Sequence, residues 1–329
     1  MTTSWLGCGL RSGLRCGVRR GVASVVLGSA LLTGCTTNPE TGDRFFNTIS
    51  PEQEIQIGQQ AAPELTQQFG GEVPDAQLQA YVTEVGQKLA RQTSGEFHDL
   101  PWEFTLLNSP VINAFALPGG KVFISRGLVE KMNSEAQLAG VLGHEIGHVS
   151  AQHTARRIGQ QTIFNAGLAV AGLAVGMSDA SSELRKYGQL AVPALAIGGN
   201  LYTLKFGRNE ESQADELGMK YMARAGYNPR AQLEVMHILK AEGGSGGAPE
   251  FLSTHPLPDT RIREIEQMLQ SGEFAAAANN SFHEERFRRE FLPRLKALPP
   301  APQQPTQVQE NVGSLREGQA VISRPRPRR

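Results

Sequence analysis

Apolar residues in the middle of the chain recur at a helical spacing. An apolar residue every three or four positions is typical of an amphipathic helix. One such stripe consists of Leu78, Tyr81, Val82, Val85 and Leu89. Ser50 followed by Pro51 predicts the start of another helix, because serine caps helix N-termini and proline fits the first turn. A third helix is predicted from Ser134, the first residue of a capping-box pattern, to about Arg157.

Two short segments alternate between apolar and polar residues and predict β-strands. One is residues 102–107, with the sequence Trp-Glu-Phe-Thr-Leu-Leu. The other is Lys121–Ser125, which follows a turn signal at Pro118-Gly119-Gly120. Helical patterns dominate, so the sequence predicts a single α+β domain over residues 49–298 that is mostly helical and has a small sheet.

The first 34 residues have the pattern of a secretory leader. They carry four arginines and no acidic residue, and the apolar run Gly21–Leu32 is shorter than the ~20 residues that span a bilayer. The sequence Leu32-Thr33-Gly34-Cys35 resembles the bacterial lipobox, in which the cysteine is lipidated and becomes the mature N-terminus. Thr36 favours the outer membrane over the inner membrane. An ordinary signal peptide with a chance cysteine is the alternative.

Composition divides the rest of the chain. Residues 35–48 are polar and predict a short tether. From Pro299 the chain is rich in proline, glutamine and arginine, which predicts a disordered tail over residues 299–329. The basic end of this tail could contact anionic lipid or cell-wall polymer, or it could remain solvated without a partner.

Two apolar stretches rich in alanine and glycine lie at residues 163–177 and 190–201. The first is shorter than a membrane-spanning helix, and the second contains Pro193. We expect buried or hairpin-like helices near the site, or a surface that dips into the bilayer.

Charge and cysteine content narrow the functional classes. The chain has 32 basic and 32 acidic residues, without the clustered basic charge of a nucleic-acid surface, so no nucleic-acid partner is expected. Of its 3 cysteines, only Cys35 would remain after leader removal, and lipidation would consume its thiol. Stability must then come from a hydrophobic core rather than from disulfides.

The candidate chemistry lies in His144-Glu145-Ile146-Gly147-His148, inside the helix predicted from Ser134. Residues i and i+4 share one helix face, so both imidazoles can bind one metal ion. Glu145 flanks that face, where it could act as general base on a water that the metal activates. The pattern predicts a hydrolase with one Zn²⁺ per chain.

A catalytic zinc needs a third protein ligand. His153 would lie about 140° from His148 on a continuous helix, so the protease class with a third histidine is disfavoured. Glu211 and Asp215 are again four residues apart on a predicted helix. Glu211 can bind the metal while Asp215 accepts a hydrogen bond from the far nitrogen of a ligand histidine. From the residues alone, Glu210 is an equal candidate.

Four motifs occur in an order that resembles a known family. They are Asn-Ala-Phe-Ala-Leu-Pro-Gly-Gly-Lys-Val-Phe-Ile-Ser at 113–125, the His-Glu-x-x-His helix, Glu211-x-x-Ala214-Asp215, and Thr254-His255-Pro256. From about Ser50 to Arg263 the chain is similar to the zinc metallopeptidases that include HtpX, Oma-type and CAAX prenyl proteases. Within that family it is most similar to the periplasmic BepA- and LoiP-type proteins. BepA-type proteins carry a helical-repeat domain that is not readable here, so the LoiP-like plan fits better.

The resemblance implies a zincin-like fold and singles out Glu211 as the third ligand. It also implies that the strand at Lys121–Ser125 is the sheet edge along the cleft. An extended substrate would pair its backbone with that edge. The candidate substrate-binding residues are Asn113, Ala114, Gly119, Gly120, Lys121 and Val122.

His255 has three candidate roles. In similar proteins the matching histidine can approach the zinc and block the water site, which would make it regulatory. It could instead stabilise the oxyanion of the tetrahedral intermediate as a catalytic residue, or simply pack in a proline-rich turn. Four other histidines have no matching partner and are expected to be structural or exposed: His98, His153, His237 and His283.

The motifs and the leader together imply a zinc-dependent endopeptidase of the bacterial cell envelope. It would be anchored through a lipid on Cys35 in the outer membrane, face the periplasm and hydrolyse misfolded or unassembled envelope polypeptides. The alternative is a chaperone-like protein that binds outer-membrane protein precursors and whose zinc site is closed by His255.

Overall fold

The predicted helix starts are present where the sequence places them. The structure is a computed structural model that describes residues 35–47, 49–160, 205–243, 250–256 and 259–302. The predicted leader, both apolar stretches and nearly all of the predicted tail lie outside the described residues. Predictions about those segments, and the predicted domain boundaries, therefore stay predictions.

An N-terminal hairpin packs on the folded body. Strand β1 (Cys35–Thr37) pairs antiparallel with β2 (Arg44–Phe46). Between them, Asn38 is buried and donates from Nδ2 to the carbonyl of Ser150 at 2.7 Å. The segment predicted as a tether is thus folded over most of its length, because its polar side chains find buried hydrogen-bond partners.

Two capped helices follow the hairpin. Helix α1 (Pro51–Gln68) begins at Ser50, whose side chain accepts from the backbone N–H of Gln53, and this confirms the predicted cap. Helix α2 (Ala76–Ala90) begins at Asp75, whose carboxylate accepts two backbone N–H groups of the first turn. The apolar stripe recognised in the sequence forms the buried face of α2.

Three strands form the sheet, namely β3 (Glu103–Leu107), β4 (Ala114–Leu117) and β5 (Lys121–Ser125). The order is β3-β5-β4, with β5 parallel to β3 and antiparallel to β4. Both predicted strands are confirmed, but the prediction that Lys121–Ser125 is the edge was wrong. The glycine turn folds β5 back along β4, and β3 pairs with its other side, so β5 is central and β3 and β4 are the edge strands among the described residues.

After the short helix α3 (Arg126–Val129), the His-Glu-x-x-His motif lies in α4 (Glu135–Ser150), every residue of which is buried. Ser134 caps α4 as predicted, but the helix stops seven residues before the predicted end at Arg157. Gln152 adopts a left-handed conformation with φ of 55°, and residues 153–160 resume a helix in a new direction. The sequence has no glycine or proline there to indicate the break.

The C-terminal half of the described chain is helical. Its helices are α5 (Arg208–Arg224), α6 (Arg230–Gly243), α7 (Glu250–Thr254), α8 (Asp259–Gln270), α9 (Glu284–Arg286) and α10 (Leu292–Ala297), with a π-helical turn at Phe287–Phe291. No helix among the described residues is both long and apolar enough to cross a membrane.

Helices α4 and α5 approach each other closely because glycines line their contact. A Cβ on Gly218 would lie 2.8 Å from the backbone nitrogen of His144, and one on Gly147 would lie 2.8 Å from the carbonyl oxygen of Ala214. Real side chains do not tolerate such distances to backbone atoms. The small residues therefore bring the helix that carries the two motif histidines against the helix that carries Glu211.

The core has two parts, one on each side of the sheet. The larger part packs α2 and the sheet against α4, α5 and α6. The smaller part lies between α1 and the sheet, with Leu65 and Phe69 against Phe115 and Phe123. This layering holds α4 in the middle of the described protein, with its motif facing α5.

Candidate metal centre

Four potential metal ligands converge from three parts of the fold. His144 and His148 come from α4, Glu211 from α5, and His255 from the residue after α7. One ligand atom of each lies within 4.8 Å of all the others, and each residue is at most 2 % exposed. The structure thus brings together the three predicted metal ligands and His255.

The spacing of these atoms fits a four-coordinate ion. A tetrahedral ion with bonds of 2.0–2.1 Å requires ligand atoms about 3.3 Å apart. The distances that the structure gives are 3.1 Å from His144 Nε2 to His148 Nε2, 3.4 Å from His144 Nε2 to His255 Nδ1, 3.6 Å from His144 Nε2 to Glu211 Oε2, 3.6 Å from His148 Nε2 to Glu211 Oε1, and 3.1 Å from His255 Nδ1 to Glu211 Oε1. The donor set and its spacing therefore suit a metal ion.

Asp215 and Arg261 lie behind the ligands. Asp215 Oδ1 is 2.9 Å from His144 Nδ1, so a proton on Nδ1 is held there and Nε2 presents its lone pair to the centre. Arg261 donates to both oxygens of Asp215 at 2.7 Å and also to Glu211. The expected role of Asp215 as the partner of a ligand histidine matches this geometry.

The structure decides which of two neighbouring glutamates, Glu210 or Glu211, is placed to be the third ligand. Glu211 is fully buried at the centre, whereas Glu210 turns away from it. Glu210 accepts from the backbone N–H of Gly207 at 2.6 Å and pairs with Arg157, so it caps α5. Its position on the far side of the first turn follows from the 100° rotation between neighbouring residues.

The electrostatics of the cluster favour a cation. Burial by itself lowers the pKa of His144, but hydrogen bonds to Asp215 and Glu211 outweigh it and raise the pKa to about 9. Burial would raise the pKa of Glu211, yet His255 and Arg261 hold it well below its usual range. Burial and the neighbouring His144 lower the pKa of His148. A positive charge is therefore stabilised between ionised carboxylates and a neutral imidazole.

Glu145 lies beside the cluster but takes no part in its contacts. It is 1 % exposed, and its Oε1 has no hydrogen-bond partner among the described residues, the nearest imidazole nitrogen being His255 Nε2 at 3.8 Å. Burial raises the pKa of the Glu145 carboxyl. A buried carboxylate oxygen that is not engaged by these residues can accept a proton from a water molecule.

His255 is held in the cluster by the short helix before it. Its ring stacks on Phe251 at 4.5 Å, and its backbone N–H donates to the Phe251 carbonyl at 2.8 Å. Arg261 donates to the carbonyl of Pro256 and so ties this loop to the carboxylates. His255 therefore sits inside the centre rather than only in a proline-rich turn.

His153 is the functional neighbour that sequence reasoning missed. It is not among the four converging ligands, as expected, but its Nδ1 lies 2.9 Å from His148 Nδ1. The expectation of a 140° separation assumed a continuous helix. The left-handed residue Gln152 redirects the chain and returns His153 to His148. No pattern in the sequence indicated this return.

The candidate substrate-binding residues fall into two groups. Asn113 and Ala114 lie at the start of the edge strand β4, next to Ile112, whose carbonyl accepts from the Phe251 N–H. In contrast, the turn at Gly119 packs on α1, where an added Cβ would lie 2.4 Å from Ile55 Cα.

The second group continues into the central strand. Lys121 and Val122 are buried in β5, and Lys121 pairs with Glu103. Gly120 has a φ of 87° in the turn before them. These residues shape the sheet from inside. Gln79 of α2 bonds the outer backbone groups of Leu106 in β3, so β4 is the edge strand without such cover among the described residues.

Comparison with known proteins points in one direction. A sequence model described as peptidase family M48 matches residues 76–269. The chain is 33% identical over 249 residues to the mitochondrial metalloendopeptidase OMA1 of Schizosaccharomyces pombe, which covers 75% of this chain and 70% of that protein. It is 30% identical over 250 residues to the β-barrel assembly-enhancing protease of Escherichia coli K12, covering 74% of this chain and 50% of that protein. The chain thus spans about half the length of the β-barrel assembly-enhancing protease.

Proposed function

This chain belongs to peptidase family M48, and from that premise we propose that it is a zinc-dependent endopeptidase acting on misfolded or unassembled envelope polypeptides. The observation that carries the proposal is the buried convergence of His144, His148 and Glu211, with Glu145 beside them. Histidine and carboxylate donors at tetrahedral spacing are the preferred set of a catalytic zinc.

Each residue of the centre has a separate role in the proposed hydrolysis. Zn²⁺ held by His144, His148 and Glu211 would supply Lewis acidity and lower the pKa of water. Glu145 accepts the proton of the attacking water through its unpartnered Oε1 and then donates it to the leaving amine. Asp215 keeps His144 in the tautomer that binds metal. When His255 withdraws from the fourth position, its imidazole can donate to the developing oxyanion.

The edge strand β4 offers a binding mode that does not depend on side-chain sequence. An extended peptide can add to a sheet edge through backbone hydrogen bonds, while pockets select side chains only weakly. Of the two candidates at the start of β4, we assign Ala114 to this contact, because the backbone N–H and C=O of Asn113 are both already bonded to Ser125 of β5. The preferred substrates would then be unfolded segments, because folded proteins have few extended strands free to pair.

We further propose that the protein is anchored by a lipid on Cys35 at the outer membrane and faces the periplasm. The support is the basic and apolar leader followed by Leu32-Thr33-Gly34-Cys35. Metabolic labelling with a palmitate analogue should mark the wild type and fail to mark Cys35→Ser. Labelling of Cys35→Ser at the wild-type level would contradict the anchor without affecting the catalytic proposal.

The decisive experiment compares purified wild type with Glu145→Gln on an unfolded β-barrel protein. We expect Glu145→Gln to keep stoichiometric zinc and to lose proteolysis by roughly 10²–10⁴-fold, the usual contribution of a general base. Glu64→Gln, the same change at an exposed position of α1, should cleave like wild type. Wild-type turnover by Glu145→Gln, or wild-type protein without zinc, would refute the proposal.

One observation supports a second candidate function. His255 Nδ1 lies 3.4 Å from His144 Nε2 and 3.1 Å from Glu211 Oε1, so it would offer a bound ion a fourth protein donor in competition with water and substrate. A protein that binds outer-membrane precursors and keeps its zinc site closed would have this geometry. Wild type would then retain an unfolded β-barrel protein without cleaving it, whereas the endopeptidase would convert it to fragments.

A further inference from the structure

The two motif histidines are supported differently on the side away from the centre. His144 Nδ1 meets a buried carboxylate directly, since Asp215 Oδ1 is 2.9 Å away. Within the part of the chain that the structure describes, no carboxylate lies against the Nδ1 of His148. That atom instead lies 2.9 Å from the Nδ1 of His153, a residue with no solvent exposure. Two imidazole nitrogens at this distance require one to donate and the other to accept.

The hydrogen bonds beyond His153 fix which nitrogen donates. His153 Nε2 is 3.0 Å from the side-chain oxygen of Gln213. That oxygen can only accept, so His153 carries its proton on Nε2 and accepts at Nδ1. His148 must then hold its own proton on Nδ1, and its Nε2 lone pair faces Glu211 and His144.

The relay ends at a carboxylate in the N-terminal hairpin. Gln213 Nε2 donates to Asp43 Oδ2 at 3.1 Å, and the same oxygen accepts from Arg156 at 3.2 Å. Because a carboxylate only accepts, Asp43 orients the Gln213 amide with its oxygen towards His153. Every bond of the relay therefore runs in one direction, from His148 through His153 and Gln213 to Asp43.

Several contacts place Asp43 at the end of the relay. The hairpin is fastened to α4 through Asn38, which donates to the carbonyl of Ser150. The guanidinium of Arg156 lies 4.3 Å from the ring centroid of Phe45 in β2. The Asp43 carboxylate thus reaches α5 only while the hairpin is docked.

We propose that Asp43, Gln213 and His153 are positioning residues that hold His148 in its metal-binding tautomer, so that docking of the hairpin at residues 35–46 tightens metal binding. The inference rests on the metal site proposed above. It makes the affinity of the centre depend on an N-terminal segment that lies outside the residues matched by the family.

The test measures metal binding without substrate. Zn²⁺ affinity is determined by competition with a chromophoric chelator, and the geometry of the centre by the visible absorption of the Co²⁺-loaded protein. His153→Leu removes the acceptor and should weaken Zn²⁺ binding about 10–100-fold, as for other partners of metal-bound histidines. His153→Asn places an amide oxygen near the lost Nδ1 and should restore most of the affinity and the Co²⁺ spectrum.

Variants along the relay separate positioning from packing. Gln213→Leu and Asp43→Ala should also weaken Zn²⁺ binding. Asp43→Ala should have the smallest effect on the affinity, because it acts through two further hydrogen bonds. Asp99→Ala, an exposed aspartate away from the relay, should bind Zn²⁺ like wild type.

Two results would overturn the inference. One is wild-type Zn²⁺ affinity and an unchanged Co²⁺ spectrum in folded His153→Leu. The other is an equal loss in His153→Leu and His153→Asn, which would indicate packing rather than an acceptor. Because no peptide is cleaved in this assay, failure of the relay is distinguishable from failure of the endopeptidase proposal, which Glu145→Gln decides.

Discussion

At the scale of single residues, Arg261 links the loop that carries His255 to the carboxylates of the candidate metal centre. Arg261 is buried between Glu211 and Asp215 and also donates to the carbonyl of Pro256, next to His255. Its charge offsets two buried carboxylates, which would otherwise be costly to desolvate. Because the same guanidinium donates to both, a movement of the loop that carries His255 would shift Arg261 and with it the Glu211 carboxylate that we assign to the metal.

Replacement of His255 tests whether this residue restrains the enzyme. His255→Ala empties the fourth position, and if the open form is about a tenth of the wild-type population, proteolysis should rise by about tenfold. Zn²⁺ affinity should fall, because one donor is lost. Peptide cleavage and chelator competition measure the two effects, with exposed His237→Ala as control. Unchanged cleavage and unchanged affinity would exclude gating, and a loss of cleavage would favour an oxyanion role.

At the scale of elements, the contact between α4 and α5 sets the geometry of the centre. These helices contribute three of the four converging ligands, and their backbones meet at Gly143, Gly147 and Gly218. A larger residue at that contact cannot be absorbed by a side-chain rotation, because the atoms it meets are backbone. Any increase in the distance between α4 and α5 would therefore also increase the distances between the ligands that they carry.

Gly218→Ala should separate the two helices. The added methyl group meets the backbone of Gly143 and His144, so we expect a loss of about 1–3 kcal/mol in the free energy of unfolding, typical of overpacking. Zn²⁺ affinity should fall with it, since Glu211 and Asp215 move with α5. Urea unfolding and chelator competition measure both. Gly140→Ala in α4 comes too close only to Gln232 Oε1, at 2.8 Å, and keeps ordinary contact distances to the Gln232 backbone, so it should lose less stability.

Helix α1 carries a pH-dependent contact with the break after α4. Glu54 is buried, accepts from Gln152 Nε2 at 2.8 Å, and burial raises its pKa from 4.5 to about 7. Between these pH values the folded protein keeps a proton that the unfolded chain releases. Stability should therefore fall as pH rises from 4.5 through 7, by up to about 3 kcal/mol.

Glu54→Gln isolates that contribution. The amide keeps an acceptor for Gln152 but does not titrate, so this variant should lose less stability than wild type between pH 5 and pH 8. Chemical unfolding at both pH values gives the comparison, with Glu64→Gln on the exposed side of α1 as control. An identical pH dependence in wild type and Glu54→Gln would contradict the assignment.

Local signals predicted most of these elements, and long-range contacts account for what they missed. The caps at Ser50 and Ser134 and the stripe on α2 act within a few residues, so the sequence reveals them. The order of the sheet depends on β3 pairing with β5 across the chain, which alternation does not encode. The break at Gln152 is stabilised by the distant residues Asn38 and Glu54, and it alone brings His153 to His148.

At the scale of the whole molecule, the metal site joins parts of the chain that are far apart in sequence. Its ligands come from α4, α5 and the residue after α7, and its outer contacts reach the N-terminal hairpin. Without an ion, several imidazoles and carboxylates would still be buried together. Bound metal should therefore stabilise the folded protein as a whole rather than one loop.

Metal removal provides the corresponding measurement. At a free Zn²⁺ concentration about 100-fold above Kd, binding adds about 2.7 kcal/mol to folding, so a chelator should lower the unfolding temperature of wild type. Glu211→Gln, with a weakened site, should respond much less to the same chelator. A wild-type unfolding temperature that does not change after verified zinc removal would contradict a stabilising ion.

The docked hairpin also determines how far a membrane-bound form of this protein could reach. Flexible linkers let an anchored enzyme sweep a volume that grows with linker length. Here β1 begins at Cys35 itself and pairs with β2 on the folded body, so a lipid on that cysteine would join directly to rigid structure. The catalytic centre would then work at a fixed height in the layer next to the bilayer. The centre could then reach polypeptides held at the membrane surface. Polypeptides in bulk solution would lie too far from it to be cleaved.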